Sequence, residues 1–396
     1  MGDGKKCVFN FKAIQLKQTN LNMSTICCRC VMDTTDEMIR FNKEGLCDHC
    51  VVFDKTVLPF IKRQNASTVA LDKMVDAIKQ NGKSNEFDCI IGLSGGIDSS
   101  YLALVAKKCG LRPLLFHVDA GWNSQEAVNN IERLVDGLGF DLFTEVIDWE
   151  EMRDLQLAFF KSGVPHIDAP QDHAFFATMY KFAEKYNIKS ILTGANLSTE
   201  CIRNPVEWMY YQSDSRQLKD IHKRFGSLPL KKYPTTSILR HKIWLPYVKG
   251  IKVYKMLDTV RYQKNEAIDE LTNSFGWQRY PQKHFESRFT RFYEGYWLPK
   301  RFGYDTRKVQ FSSLILTGQM QREEALRILA LPALDEAAIR QEIQYVANKL
   351  AITVEELQTY MDMPRRSYRD FKSQRVIYNL GANVLKAFGI EIGGKR

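Results

Sequence analysis

The stretch CIIGLSGGIDSSYLALVAKK, residues 89–108, limits what this chain can fold into more than any other part of it. An apolar run passes through Ser94-Gly95-Gly96 and enters a helical pattern without a spacer. Two geometries fit these letters. Gly92-Leu93-Ser94-Gly95-Gly96 has the GxSxG form of an elbow that presents a nucleophilic serine, whereas Ser94 to Ser99 has the form of a strand-to-helix turn that grips a pyrophosphate. An elbow needs an established sheet before its serine and an oxyanion donor from an earlier loop. Here only a cysteine-rich module and a helical linker come first, and no HGGG-like stretch lies upstream. The ordinary phosphate loop is excluded as well, because no Gly-Lys-Ser/Thr follows the glycines.

A pyrophosphate turn accounts for every position. At Ser94, Gly95 and Gly96 the backbone N–H groups can close around a phosphate with little side chain in the way, and the helix that starts near Asp98 aims its positive end at the same anion. Asp98 is then placed to bind Mg²⁺, and Ser94 and Ser99 to donate hydroxyl hydrogen bonds.

The surrounding pattern alternates. FDCIIGLS, PLLFHVD, DLFTEVI and KSILTG read as strands, and Asp98 to Cys109, Gln125 to Leu138, Asp148 to Lys161 and Asp172 to Tyr186 as helices. This predicts an α/β domain over 85–205, a parallel sheet covered on both faces. Beyond 205 the alternation stops, and 206–396 read as an aromatic-basic and mostly helical C-terminal region. It holds a helical pattern from Val253 to Ser274, a Phe/Tyr/Arg-rich stretch from His284 to Tyr304, and helices from about residue 321 to the end. Ahead of the sheet, 1–22 read as a disordered or vector-derived extension, 23–55 as a cysteine module and 56–84 as a helical linker.

Cys27-x-x-Cys30 and Cys47-x-x-Cys50, sixteen residues apart, have the spacing of a four-thiolate zinc ribbon or knuckle. Four thiolates leave no open coordination position, so the expected Zn²⁺ is structural. With no apolar run of membrane-spanning length and no secretory leader, the expectation is a cytoplasmic protein with no membrane partner. The net charge of +10 suits a polyanionic partner, but the Lys and Arg residues are scattered, which favours a nucleotide over a nucleic acid.

The loop resembles that of the PP-loop ATP pyrophosphatase superfamily, which has a HUP-like, adenine nucleotide alpha hydrolase-like fold. That resemblance assigns Gly92, Ser94, Gly95, Gly96, Asp98 and Ser99 to the pyrophosphate, and Val118, Asp119, Thr193 and Gly194 to the nucleotide. The stretches CCRCVMDTTD, GLSGGIDSSY, HVDAGWNS, PQDHAFFATMYKFAEKYNIKSILTGANLSTE and KHFESRFTRFYEGYWLPKRFGYD are similar to the N-acetyl sugar amidotransferase family of bacterial surface-polysaccharide and flagellar-sugar biosynthesis. The family resemblance implies an ATP- and Mg²⁺-dependent enzyme acting on an N-acetylated sugar or sugar nucleotide. It would convert the acetamido group to an acetamidino group, with ammonia from a partner resembling the glutaminase and cyclase pair of histidine biosynthesis. Asp98, Ser99 and His173 are the expected catalytic residues. Gln171, Asp172, Asn196, Glu200, His284, Glu286, Arg288 and Arg291 are the expected sugar-binding set, and Phe285 to Tyr304 is expected either to dock the partner or, equally, to pack against the ATP domain. The tRNA-thiolating relatives are disfavoured, because no cysteine stands between Cys109 and Cys201.

Overall fold

The computed structural model describes residues 25–65, 67–378 and 380–381. The expected extension over 1–22 and the helical pattern beyond 381 lie outside the described residues. Five strands, β1 (Cys89–Gly92), β2 (Pro113–Asp119), β3 (Leu142–Val146), β4 (Ser190–Leu192) and β5 (Lys252–Tyr254), form one parallel sheet in the order β3-β2-β1-β4-β5. β1 and β2 are buried along nearly their whole length because helices cover both faces, which is why they read as unbroken apolar runs. β3 and β5 are edge strands and largely exposed.

Helix boundaries follow local signals. Ser124 and Asp148 cap the helices Gln125–Leu138 and Trp149–Ser162 by accepting the N–H of Ala127 and Glu151, and Gly139 and Gly163 end them in the left-handed conformation. The helix Ala169–Lys185 starts earlier than expected, since Pro170 is favoured in a first turn.

One expectation for the C-terminal region is corrected. Val253 to Ser274 is not one helix but strand β5, a 3₁₀ turn Met256–Thr259 and a helix Lys264–Phe275. The exposed backbone of β4 takes Val253 and Tyr254 as a further parallel strand, and both are good strand formers. The sheet thus extends past residue 205, and Met256, Leu257, Tyr262, Leu271 and Trp277 share one hydrophobic cluster with Ile91, Leu102 and Leu192. For Phe285 to Tyr304, the packing alternative matches the structure. Phe289, Phe292, Tyr293 and Trp297 are buried and pack with Trp122, Phe159 and Phe160 as core.

The N-terminal module docks on the C-terminal region. Its cysteines share a cluster with Trp208, Val309 and Leu316. Arg322 donates to the carbonyls of Cys27 and Cys30, Lys308 pairs with Asp33 at 2.6 Å, and Trp208 donates to the Thr35 carbonyl.

Candidate functional site

In a sheet ordered β3-β2-β1-β4-β5, the direction of winding reverses between β1 and β4, and their carboxyl ends diverge into a crevice. The loop Leu93–Gly96 leaves β1 at that point and the helix Ile97–Lys108 begins there. Gly95 has φ +81°, and a Cβ on it would lie 2.8 Å from the Ala127 carbonyl oxygen, so only glycine fits. Its own carbonyl accepts from Trp277 Nε1 and Tyr280 OH, both at 3.1 Å, which fixes the turn. A Cβ on Gly194, after β4, would lie 2.9 Å from the Ser99 nitrogen. The turn is therefore tightly closed by backbone: Gly95 backs onto the helix Gln125–Leu138 and Gly194 onto the start of the helix Ile97–Lys108.

Ser94 Oγ lies 3.2 Å from Ser99 Oγ, accepts the Gly96 N–H at 3.2 Å and reaches Glu286 at 3.4 Å. His117, under the loop on β2, bonds the Leu93 carbonyl and Asn123 instead. The serine-elbow reading finds no histidine partner for Ser94 among these contacts.

Asp98 sits at the base of the crevice. Its Oδ1 accepts from Tyr262 at 2.7 Å and Asn196 at 3.0 Å, while its Oδ2 accepts from Lys283 at 2.9 Å. Lys283 also donates to Glu200 at 2.6 Å. Burial alone would raise the Asp98 pKa, but the Lys283 charge and the Tyr262 hydroxyl outweigh it and hold the carboxyl below its usual range. Lys283 is raised, the two carboxylates overcoming burial. The cleft above has a volume of about 210 Å³ and is lined by Ser94, Gly96, Asp98, Ser99, Gly194 and Glu200, with Lys264, Arg279 and Lys283 as cations, His284, and Glu286 beside the loop. His284 has φ +67° and bonds Glu294 at 3.0 Å; burial disfavours its charged form, yet Glu294 brings the pKa up to about 9.

The expected residues thus divide. Ser94, Gly96, Asp98, Ser99, Gly194, Glu200, His284 and Glu286 line the crevice and Asn196 bonds Asp98 there, whereas Gly92 ends β1 facing Met179 and Gly95 backs onto the helix Gln125–Leu138. Thr193 supports it, donating its N–H to the Tyr254 carbonyl. Val118 is buried in β2, and Asp119 accepts the Gly121 N–H of its own turn. His173 is fully buried, with Nδ1 on the Gln212 carbonyl and Nε2 accepting the Thr236 N–H, and burial lowers its pKa. Its place is in the core, away from the crevice. Gln171 is a buried clamp between Asp168, Thr290 and Ser287, and Asp172 stands 3.4 Å from His166. Arg288 and Arg291 brace Glu342, with Arg288 also 3.5 Å from the Tyr345 ring centre.

Sequence reasoning missed Lys283, Lys264, Tyr262 and Arg279. A signal was present for Lys283, which stands directly before His284 and Glu286 in the stretch KHFES.

The four module cysteines are fully buried, and their sulfurs lie within 4.8 Å of one another. Neighbouring pairs are 3.6 to 3.7 Å apart, against roughly 3.8 Å for a tetrahedron with zinc–sulfur bonds of about 2.3 Å. The Met32 N–H points at Cys30 Sγ and the Cys47 N–H at Cys27 Sγ, as suits sulfurs acting as thiolate acceptors. The donor set fits zinc. His49 is turned to Asp36 at 2.9 Å.

Parallel sheet, tight glycine turn and cationic crevice define an α/β protein with an N-terminal four-cysteine module and a mostly helical C-terminal region. In line with the resemblance read from the sequence, residues 286–385 match the family described as LPS biosynthesis protein WbpG-like, C-terminal domain. No curated protein matches the chain. Among solved structures, NMN synthetase from Francisella tularensis is similar at 16% identity and a TM-score of 0.31, covering 76% of this chain and 98% of its own. An NH3-dependent NAD synthetase from Campylobacter jejuni gives 14%, a TM-score of 0.29, and coverage of 74% and 96%. A protein described as a predicted subunit of tRNA methyltransferase from Methanocaldococcus jannaschii gives 16%, a TM-score of 0.28, and coverage of 47% and 75%.

Proposed function

We propose that this chain is an ATP-dependent enzyme of surface-polysaccharide sugar biosynthesis that turns a sugar acetamido group into an acetamidino group. The observation that carries the ATP part is the crevice between β1 and β4, where Ser94, Gly96 and Ser99 at the start of a helix face Lys264, Arg279 and Lys283. The WbpG-like match over 286–385 supports a lipopolysaccharide sugar as the acceptor.

In this reading the loop N–H groups and the three cations hold the β- and γ-phosphates of ATP, and the acetamido oxygen attacks the α-phosphorus. Pyrophosphate leaves and the sugar carries an adenylated imidate. Ammonia adds to the imidate carbon and AMP departs with the former acetamido oxygen, leaving the amidine. Magnesium, when bound, neutralises the pyrophosphate, and Asp98 and Glu286 are the carboxylates beside the loop that would hold it. The chain's own contribution is positioning and charge stabilisation: Lys283 ties Asp98 to Glu200, and Tyr262 and Asn196 orient Asp98. Ammonia comes from a glutaminase partner.

The test is AMP release by purified protein with ATP, Mg²⁺, ammonium and a panel of N-acetylated sugar nucleotides. AMP formation that requires one such sugar supports the reading. ATP cleavage that no sugar stimulates argues against it.

A further inference from the structure

Between Asp220 and Asp258 lie nine lysine and arginine residues and no Asp or Glu. Within this stretch the π-helix Arg240–Val248 and the residue before it carry an apolar face turned outward. Leu239 is 48% exposed, Ile243 53%, Trp244 45%, Tyr247 81% and Val248 57%. At roughly 4.4 residues per turn, the period of a π-helix, these five positions fall on one stripe about a third of the circumference wide. The same period puts Arg240 and Lys249 along one flank and Lys242 along the other. His241 and Leu245 face inward: His241 bonds Tyr180 and stacks near Phe176, and Leu245 is buried. The neighbouring edge strand adds Lys252 and the exposed Val253, and Tyr186 is half exposed at the end of the helix Ala169–Lys185. Glu184 pairs with Arg240 and Lys249, while Lys242, Lys252 and Lys255 have no carboxylate within ion-pair distance among the described residues.

We propose that this stripe seats the protein on an anionic membrane surface. Aliphatic side chains with an outward Trp and Tyr, bordered on both sides by basic residues, are the composition of a helix lying in a lipid interface. A docking face for another protein would be expected to be poor in lysine, and this one is lysine-rich. Attachment is peripheral: among the described residues no helix is long and apolar enough to cross a membrane. The net charge of +10 adds attraction to anionic headgroups.

The test is co-sedimentation of the whole chain with vesicles of phosphatidylglycerol and phosphatidylcholine in equal parts, against phosphatidylcholine alone. Binding to the anionic vesicles is expected to fall about tenfold in a Trp244→Ala, Tyr247→Ala variant and to weaken in Lys242→Glu, Lys252→Glu and at high salt. These side chains are exposed, and an unchanged circular dichroism spectrum excludes misfolding. Equal sedimentation with both vesicle types overturns the proposal, as does binding that the Trp244/Tyr247 variant leaves intact. Absence of lipid binding together with a variant-dependent change in oligomeric mass also overturns it, and assigns the stripe to a second copy of the chain. ATP turnover plays no part in the readout, so this test and that of the proposed function fail separately.

Discussion

Replacing Lys283 by methionine keeps most of the side-chain volume and removes the charge from the Asp98–Lys283–Glu200 chain. The Lys283 and Asp98 side chains are 9% and 16% exposed. Breaking a pair buried this deeply costs about 3–5 kcal/mol, because the remaining charge stays desolvated. Tyr262 and Asn196 still bond Asp98, so the lower end, about 3 kcal/mol, is expected at neutral pH. Glu200 is 37% exposed and adds under about 1 kcal/mol. The assay is urea denaturation of wild type, Lys283→Met, Asp98→Asn and the double variant, where a coupling of about 2 kcal/mol or more is expected. The pH dependence has a definite sign. Lys283 holds Asp98 below its usual range, so this stability is present above the unfolded carboxyl value near ~3.9 and is lost as pH falls through the lower folded value. In Lys283→Met burial is opposed only by the Tyr262 hydroxyl and the Lys264 charge, Asp98 protonates more readily, and the gap to wild type narrows in acid. A loss under about 1 kcal/mol at neutral pH, or additive single effects, would refute the reasoning.

Gly95→Ala places a Cβ against the Ala127 carbonyl at φ +81°, and AMP formation is expected to fall on the order of 10²-fold or more while zinc content is unchanged. His173→Ala is expected to cost about 2 kcal/mol in denaturation while leaving the KM for ATP unchanged, since both ring nitrogens serve backbone groups. Because burial lowers the folded pKa of His173, wild type should lose stability as pH falls below the unfolded value near ~6.5, with a shallower slope in the variant. Cys30→Ser with Cys50→Ser should release zinc, measured by metal analysis, and open the seam along Arg307–Leu316 to proteolysis.

The loop and the first four strands were legible because their signals are local: buried strands are apolar runs, caps are Ser and Asp, and the turn needs glycine at one left-handed position. β5 was not, since Lys252–Tyr254 is three residues long and forms a strand only because β4 offers an open edge. Nothing near Asp98 in sequence announces Lys283 or Tyr262, which tertiary packing brings to it. His173 and Arg288 illustrate the opposite error. A His or Arg in a polar-aromatic stretch reads as chemistry, yet here His173 ties the Gln212 and Thr236 backbone, and Arg288 holds Glu342.

The central claim, activation of an acetamido oxygen by ATP, is tested most directly by the fate of that oxygen. An N-acetylated sugar nucleotide labelled with ¹⁸O in the acetamido carbonyl is incubated with the protein, ATP, Mg²⁺ and ammonium, and AMP and sugar are analysed by mass spectrometry. The account predicts one ¹⁸O atom in the AMP phosphate for each acetamidino sugar formed. Unlabelled AMP, or ¹⁸O retained in the sugar while AMP accumulates, would contradict it.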